Sequence, residues 1–311
     1  MTASTTIRLP YGADSLTFDL PTANLLGVYA PNPVTPLLDV DASIQHALQS
    51  PIGLPPLEEL ARGARQVLLV VDDNTRPTPT ARILPHLLNG LNAAGVPDSA
   101  IRLLIALGTH RAMTPDEMRL KYGAEVMARV AVRNHDAFDP HIMVDLGVTP
   151  GGVHVAVNRQ VVDADLVIGV GNIVPHHIPG FSGGAKIIQP GVCSERTTGE
   201  VHLLSVRHPH NLLGVVENQV RHEIEAIAER AGLRAILNTV LDAEGRVVGI
   251  FFGEPRAAFR QGVALSRKVY GVALPALADI VIASSHPCDI EFWQAHKTLY
   301  AAELCVRPGG T

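Results

Sequence analysis

The chain has 311 residues, 47% of them apolar and only 4% aromatic, which is enough for one large or two smaller domains with a largely aliphatic core. A net charge of −5 and a pI near 6.3 argue against a nucleic-acid-binding surface, and no apolar run is as long as a membrane span. The N-terminus lacks a signal-peptide core, and the three cysteines Cys193, Cys288 and Cys305 are unevenly spaced, which predicts a protein of the reducing cytoplasm.

Short apolar strands alternate with helices along most of the chain. The N-terminal part predicts a β-hairpin over residues 5–20 and one short helix, DASIQHALQS, in a Pro-rich stretch over residues 21–64. The predicted strands are residues 66–71, 101–107, 128–136, 153–158, 164–171, the β-pair 234–242 and 246–253, and residues 278–285. The predicted helices are residues 81–95, 114–123, 217–232 and 255–271. This alternation predicts an α/β fold with a mostly parallel sheet flanked by helices.

We expect two domains, residues 1–272 and residues 273–311. The second contains one strand–helix unit, which is less than an α/β domain needs. The sequence stops at RPGGT, and Pro-Gly-Gly-Thr normally leads into a strand. We therefore expect the pattern of the second α/β domain to continue beyond residue 311.

Polar clusters follow several of the apolar strands. In parallel α/β sheets, ligands bind beyond the carboxyl ends of the strands. The clusters are DDNTR (residues 72–76), GTHR (108–111), GNIVPHH (171–177) and SSHPCD (284–289). We expect a ligand site where these clusters meet.

The first two clusters offer a cation, a carboxylate and a histidine. Arg76 is suited to clamping a carboxylate or phosphate, and Asp73 to orienting it or holding a ribose hydroxyl. A helix-capping turn is the alternative for this cluster, although caps rarely need an arginine. His110 is a candidate general base, with an exposed loop histidine as the alternative.

The stretch HHIPGFSGGAKIIQPG (residues 176–191) is a glycine loop around a lysine. It matches neither a Walker loop, which needs Gly-Lys-Ser/Thr in succession, nor a dinucleotide fingerprint. Its glycines permit close backbone approach to a ligand, and Lys186 is suited to be a point charge or a desolvated nucleophile. A flexible surface loop is disfavoured because Phe181, Ile187 and Ile188 need burial.

Two further groups offer metal and substrate ligands. His176, His177 and His202 provide imidazole nitrogens that suit zinc, copper, iron or nickel, although no HExxH or Cys-rich pattern supports a zinc enzyme. In EFWQAHK (residues 291–297), Gln294 and Lys297 lie three residues apart and share a face if the segment is helical. There they would grip a carboxylate across a cleft, with an ordinary helix surface as the alternative.

Taken in order, these clusters resemble the nickel-dependent lactate racemase family. The resemblance rests on DDNTRPTP, GTHR, PHHIPGFSGGAKIIQPG, His202 and WQAHK, and it spans residues 66 to 300. GFSGGAK with its upstream histidine is its most specific part. The family comprises 2-hydroxy-acid racemases and epimerases that use a nickel-pincer nucleotide, so the resemblance implies a cofactor domain over residues 1–272 and a second domain that closes over the substrate.

The resemblance also implies roles for individual residues. Lys186 matches the lysine that carries the cofactor, a pyridinium-3,5-bisthiocarboxylate mononucleotide, and His202 matches the one histidine that ligates its nickel. His110 and His176 match the two bases.

Two more sets of positions match cofactor-binding and substrate-binding positions of the family. The cofactor-binding turn comprises Asp73, Asn74, Thr75 and Arg76. Gln294 and Lys297 match residues that hold the substrate from the second domain. The implied partners are a small 2-hydroxy acid and the enzymes that synthesise the cofactor, with neither nucleic acid nor membrane involved.

The chemistry of inversion at carbon 2 agrees with this set of residues. Removing the C–H hydrogen as a proton leaves a poor carbanion beside a carboxylate, whereas removing it as hydride needs an electron-poor acceptor and a base for the hydroxyl proton. Either enantiomer must react, so two bases are wanted. A zinc hydrolase using His176, His177 and His202, and a non-catalytic binding protein using Arg76 and Lys186, remain the alternatives. The acid itself stays open among lactate, larger aliphatic or aromatic hydroxy acids, malate and sugar acids, and so does the oligomeric state.

Overall fold

The computed structural model of the chain describes residues 3–286, 288–289 and 292–311, and of Trp293 the backbone alone. Parts of the motifs SSHPCD and EFWQAHK, namely Pro287 and Glu291, therefore lie outside the described residues. The strands are β1 (Ser4–Tyr11), β2 (Asp14–Pro21), β3 (Val67–Asp72), β4 (Ile101–Ala106), β5 (Ala131–Asn134), β6 (Met143–Val148), β7 (His154–Asn158), β8 (Leu166–Asn172), β9 (Pro175–His176), β10 (Gly180–Phe181), β11 (Leu233–Leu241) and β12 (Val247–Gly253). The helices are α1 (Val40–Gln49), α2 (Leu57–Leu60), α3 (Thr80–Ala93), α4 (Pro115–Tyr122), α5 (Ala124–Arg129), α6 (Arg159–Asp163), α7 (Glu195–Arg207), α8 (Gln219–Arg230), α9 (Pro255–Tyr270), α10 (Phe292–Ala295) and α11 (Lys297–Glu303).

A six-stranded sheet forms the centre of the fold. Its strand order is β12-β11-β8-β3-β4-β5, and every neighbouring pair is parallel except β11 and β12, which form the predicted antiparallel pair. All side chains of β3 and β8 are buried, which is typical of strands covered by helices on both faces. The predicted α/β class with a mostly parallel sheet is confirmed, and β1 and β2 form the predicted hairpin.

Helices cover both faces of the sheet because successive side chains of a strand point to opposite sides. On β3, Val67, Leu69 and Val71 contribute to the cluster beneath α1 and α3, whereas Leu68 contributes to the cluster beneath α8 and α9. Each fully buried aliphatic side chain of this kind contributes roughly 1.5–3 kcal/mol to folding. The two clusters fix the central strands, and the ends of those strands carry the site.

The order of the strands creates a crevice beside β3. The chain runs from β3 outward through β4 to β5 and then returns to β8 on the other side of β3. Connections that leave two neighbouring parallel strands in opposite directions open a crevice at their carboxyl ends, and ligands bind there. The turn after β3 and the loop after β8, which carry the predicted clusters, border this crevice.

Some elements differ from the prediction. Residues 278–285 were predicted as a strand, but within the described residues they form only an isolated bridge between Ala278 and Val306 and two backbone bonds with Thr311. Ile280 and Ile282 are 67% and 53% exposed, so the apolar pattern has no covering layer to pack against. Helix α7 and strand β6 were not predicted, whereas β7 matches the predicted strand at residues 153–158. Among the described residues no helix is both long and apolar enough to cross a membrane.

Candidate active site

A cavity of about 320 Å³ opens at the carboxyl ends of β3, β4 and β8. Its volume lies at the lower end of the range for small-molecule and cofactor sites. All the site residues predicted from the sequence line it except Asn74 and Thr75. The predicted residues that do so are Asp73, Arg76, His110, His176, Lys186, His202, Gln294 and Lys297.

The turn after β3 is folded around the carboxylate of Asp73. Thr75 donates its backbone N–H and its hydroxyl to Asp73 Oδ1, at 3.0 and 2.5 Å. The backbone N–H of Arg76 bonds to the carbonyl of Asp73. Asn74 is exposed, and its amide donates to Glu117 on α4. Asp73 and Thr75 therefore shape the turn that brings Arg76 to the cavity, while cofactor contacts of Asn74 and Thr75 stay predictions.

A largely buried lysine that sequence reasoning missed, Lys121, supports this turn. Lys121 on α4 donates from Nζ to the carbonyls of Arg76 and Thr78, at 2.5 and 3.0 Å, and lies 3.4 Å from Asp72 Oδ1. The hydroxyl of Tyr122 donates to the carbonyl of Asp72 at 2.9 Å. Burial raises the pKa of Asp72, and the charge of Lys121 acts against that shift. No spacing rule links these residues, because they meet only through the packing of α4 on β3.

His110 and Asp73 form a dyad. His110 Nδ1 lies 2.6 Å from Asp73 Oδ2. Burial acts to raise the pKa of Asp73, but the hydrogen bond from His110 and the charges of His110 and Arg76 outweigh it and lower the pKa to about 2. A carboxylate only accepts hydrogen bonds, so His110 donates from Nδ1, and its neutral ring has a lone pair on Nε2. Asp73 thereby fixes the orientation of the His110 ring, as carboxylates orient imidazoles in other enzymes.

His176 has the opposite tautomer. Its Nδ1 accepts the backbone N–H of Ile178 at 3.1 Å, so the neutral ring carries its proton on Nε2. Burial, followed by the charge of Lys186, lowers the pKa of His176 well below its ordinary value and keeps the ring neutral. The cavity is thus lined by one imidazole ready to accept a proton and one ready to donate a hydrogen bond.

The glycine loop that leads to Lys186 is fixed by two side chains from neighbouring elements. Asn238 on β11 accepts the backbone N–H of Gly184 at 2.7 Å. Arg221 on α8 is fully buried, donates to the carbonyls of Phe181 and Gly183, and stacks its guanidinium 4.2 Å from the ring centre of Phe259. Neither Asn238 nor Arg221 was predicted, because both are remote in sequence and bond to main-chain atoms.

Packing within the protein requires two glycines of this loop, Gly180 and Gly184, while Gly183 lines the cavity and its approach to a ligand stays a prediction. Gly180 and Gly184 adopt φ of +81° and +59°, which a residue with a Cβ rarely takes. A Cβ on Gly180 would lie 1.8 Å from the carbonyl oxygen of Val215, and one on Gly184 would lie 2.9 Å from the ring of Phe259. The expected burial of Phe181, at 0% exposure, is confirmed. The loop is therefore a rigid part of the core.

Lys186 ends this loop in a short 3₁₀ turn, Gly184–Ile187. Within the described part of the chain, its Nζ has no hydrogen-bond or ion-pair partner. Burial is the main cause that lowers the pKa of Lys186 well below its usual value, followed by the charges of Arg76 and Lys297. A lowered pKa enlarges the fraction of Lys186 that is present as the uncharged amine, and that form is a nucleophile suited to a covalent bond.

His202 lies on α7, which begins after the N-cap Ser194. Burial, the charge of Lys186 and the charge of His110 lower the pKa of His202 to about 4, so the ring is a neutral imidazole, the form that binds metals. Within the described ranges, no three His, Cys, Asp or Glu side chains are grouped to hold a metal ion. The three-histidine zinc site is therefore not formed by the described residues, whereas a metal that needs one protein ligand fits His202.

Gln294 and Lys297 reach the cavity from the C-terminal segment. Gln294 on α10 is buried, and the Nζ of Lys297 on α11 donates to its side-chain oxygen. The two side chains meet, although they lie on two short helices rather than on one continuous helical face. The pair lies across the cavity from the strand ends and provides an amide and a cation, which suit a carboxylate.

Comparison with known proteins gives one consistent result. Residues 11–214 match a family model described as the lactate racemase N-terminal domain. The chain is 32% identical to lactate racemase of Thermoanaerobacterium thermosaccharolyticum over 98% of its own length and 72% of the relative's, and 33% identical to lactate racemase of Lactiplantibacillus plantarum over 98% and 73%. The structure superposes on the lactate racemase apoprotein of T. thermosaccharolyticum with a TM-score of 0.89, covering 98% of this chain and 73% of that one. A crystal structure of a protein from Thermotoga maritima, 27% identical, matches with a TM-score of 0.61 over 78% and 61% of the two chains.

Proposed function

The chain belongs to the lactate racemase family and is an isomerase of the racemase class, and we propose that it inverts carbon 2 of a 2-hydroxy acid, lactate or a related acid. The proposal includes reversible hydride transfer to a nickel-pincer nucleotide attached to Lys186. One observation carries it: the Lys186 amine, which has no partner in the described chain, shares one cavity with an oriented base, a second neutral imidazole and a cation.

The residues of the cavity fit such a cofactor. Lys186 offers a nucleophilic amine, His202 offers one imidazole as a metal ligand, and Arg76 offers a cation for an anionic nucleotide. When bound, the nucleotide supplies nickel and an electron-poor ring that accepts a hydride. In this proposal residues 1–272 hold the cofactor, which cytoplasmic cofactor-synthesis enzymes provide, and residues 273–311 contribute Gln294 and Lys297.

The substrate carboxylate is bound by cations from two sides of the cavity. Lys297 and Gln294 are suited to grip the carboxylate by a charged and a neutral hydrogen bond. Arg76 adds positive charge from the turn after β3. A carboxylate held in this way presents carbon 2 at a fixed position, which favours a reaction that needs alignment.

His110 is the residue that takes the hydroxyl proton as the C–H hydrogen departs. Its Nε2 lone pair is free, and Asp73 stabilises the imidazolium that forms. In the second half of the reaction His176 donates a hydrogen bond from Nε2–H to the substrate oxygen, and the imidazolium of His110 returns the proton that it took, so the proton count balances. For the reverse direction His176 takes a proton at Nε2 only after its own proton has moved and the bond from Ile178 has been broken. The two histidines therefore start the reaction as different tautomers: His110 has a lone pair on Nε2, and His176 has a proton on Nε2.

The test uses protein produced together with the cofactor-synthesis enzymes and a panel of single-enantiomer hydroxy acids. We expect one acid, L-lactate first, to approach an equal mixture of enantiomers on chiral chromatography. With deuterium at carbon 2 in ordinary water, the product should retain the label, because a hydride does not exchange with solvent. Washout of the label would overturn hydride transfer. Ligand-dependent thermal stabilisation without turnover of any acid, in protein that carries nickel and the adduct, would favour a binding protein.

A further inference from the structure

His177 is a partly buried titratable residue that the proposed reaction does not use. Its ring lies between two others. The ring centres of His176 and His177 are 4.7 Å apart with an interplanar angle of 11°, and those of His177 and Tyr300 are 4.1 Å apart with an angle of 16°. The three nearly parallel rings form a column, here called the ring column, in the order Tyr300, His177, His176. Stacked aromatic rings attract one another beyond their buried area, so the column resists rotation of its members.

One end of the ring column is a residue of the proposed reaction. His176 is 8% exposed, and its only side-chain hydrogen bond within the described residues is the one from the backbone N–H of Ile178. A single hydrogen bond fixes one atom of an imidazole and leaves the plane of the ring free to tilt about it. The face of His177 fixes that plane.

The other end of the column, Tyr300, lies on α11, the helix that also carries Lys297, one of the two residues proposed to bind the substrate carboxylate. Tyr300 follows Lys297 by three residues on α11, so the two side chains share a helix face. Lys297 in turn bonds to Gln294. The column therefore links His176 to the helix that carries Lys297, the partner of Gln294.

Tyr300 is also anchored through its main chain. The side-chain amide of Asn211 donates to the carbonyl of Tyr300 at 2.7 Å and to Glu303 Oε2 at 2.8 Å. The ring of His296 closes one side of the column, edge-on to His177 at 5.2 Å and to Tyr300 at 5.9 Å. The hydroxyl of Tyr300 makes no hydrogen bond within the described part of the chain, so Tyr300 contributes to the column through the stacking of its ring.

We propose that His177 and Tyr300 are positioning residues that hold His176 at a fixed distance and tilt relative to the Gln294–Lys297 pair. This inference rests on the proposed function, because it assigns His176 to proton exchange and the pair to the carboxylate. Proton exchange at the substrate oxygen requires the imidazole and the bound carboxylate to be aligned, and an error of about 1 Å in such an alignment lowers rates by roughly 100-fold.

The test compares ring-keeping and ring-removing variants at the two positions, in cofactor-loaded protein. Tyr300→Phe and His177→Phe retain a flat ring, whereas Tyr300→Leu and His177→Leu do not. We expect the Leu variants to lose about 10- to 100-fold in kcat with unchanged nickel content, and the Phe variants to keep at least half of the wild-type kcat. Loss of activity in His177→Phe equal to that in His177→Leu would overturn the proposal, since the imidazole and not the flat ring would then matter. Equal loss in Tyr300→Phe and Tyr300→Leu would overturn it in the same way.

A second readout does not depend on activity. In the full chain labelled with ¹⁵N-histidine and without cofactor, the ring nitrogens of His176 should report the tautomer with the proton on Nε2, assigned by comparison with His176→Gln. Tyr300→Leu should move these signals toward a mixture of tautomers, and Tyr300→Phe should leave them in place. Unmoved signals in Tyr300→Leu would contradict the ring column even if the protein is a racemase. Moved signals in a protein that racemises no acid would leave the column standing and remove the proposed function.

Discussion

The lysine loop and the C-terminal helices α10 and α11 face each other across one cavity, but they are fixed in different ways. Residues 176–191 lie in the core, where Arg221 and Asn238 bond to their main chain and glycines pack against the carbonyl of Val215 and the ring of Phe259. The contacts that hold α10 and α11 to the rest of the chain include the ring column, the two hydrogen bonds of Asn211 and a hydrogen bond from the Thr298 hydroxyl to the carbonyl of Ser284.

This difference separates two tasks that a racemase must perform. A tethered cofactor and an oriented base need one geometry throughout, and the rigid side provides it. A substrate must enter and leave, and the lightly held side can move without disturbing the lysine. Substitutions on the rigid side should therefore change stability or chemistry, and substitutions on the other side should change substrate binding or alignment.

Replacing Asp73 by asparagine should give the largest effect. The asparagine oxygen can still accept from Thr75, but its NH₂ then faces His110 Nδ1 and favours the tautomer with the proton on Nε2. The base would lose its lone pair, and we expect kcat to fall by roughly 10²- to 10⁴-fold, as it does where a carboxylate that orients a histidine is removed. Initial rates on cofactor-loaded protein of equal nickel content measure this effect. A fall of less than tenfold would contradict the dyad.

Gly180→Ala tests the rigidity of the lysine loop. The new Cβ would overlap the carbonyl of Val215, and φ is +81°, so we expect the free energy of unfolding to fall by about 3 to 5 kcal/mol. Gly245→Ala is the matched control, because its φ is +77° with no atom within 4 Å of the new Cβ, and it should cost about 1 kcal/mol. Urea unfolding of both variants measures the difference. Equal losses of unfolding free energy would show that the loop moves to make room for the new Cβ at little cost.

The pH dependence of stability tests whether the histidines of the loop are buried as neutral rings. Burial, followed by the charges of His296 and Lys297, lowers the pKa of His177 to about 3, whereas the unfolded residue titrates near 6.5. Between these values the unfolded chain binds the additional proton, so stability falls as the pH drops from about 6.5. His177→Phe removes this contribution. Its unfolding free energy should therefore fall less steeply than that of the wild type, by up to about 1.4 kcal/mol per pH unit between pH 6 and 4.5. Parallel slopes in urea titrations would show that His177 is not buried as a neutral ring.

Asn211→Ala should give the smallest effect and the one most specific to the C-terminal side. It removes two hydrogen bonds to α11 without touching the cavity, so we expect KM to rise about three- to tenfold, with cofactor content unchanged. Ser284→Ala is the control. It removes a hydrogen bond that residues 273–311 make to the carbonyl of Pro10 on the N-terminal hairpin, and Pro10 is far from Tyr300 along the chain. Loss of nickel in Asn211→Ala would mean that the two sides of the cavity are not independent.

Much of the fold and the composition of the site could be predicted from sequence, because both depend on local patterns. Buried strands such as Val67–Asp72 have continuous apolar runs, and the polar clusters after them meet wherever parallel strands end together. The resemblance to a family then assigned roles to these clusters, and those roles stay predictions.

The parts that were missed depend on contacts between distant segments. Lys121 and Arg221 bond to main-chain carbonyls, which no residue pattern reveals, and the tautomers of His110 and His176 depend on a partner atom each. The segment 278–285 has the pattern of a strand, but a pattern forms a strand only when a neighbour pairs with it.

Intact mass and nickel content of protein produced together with the cofactor-synthesis enzymes test whether Lys186 carries the nickel nucleotide. We expect a nucleotide-sized mass increase that peptide mapping assigns to Lys186, with about one nickel per chain, and a Lys186→Ala variant of unmodified mass. A wild-type chain of unmodified mass without nickel under these conditions, or a mass increase that persists in Lys186→Ala, would contradict this expectation.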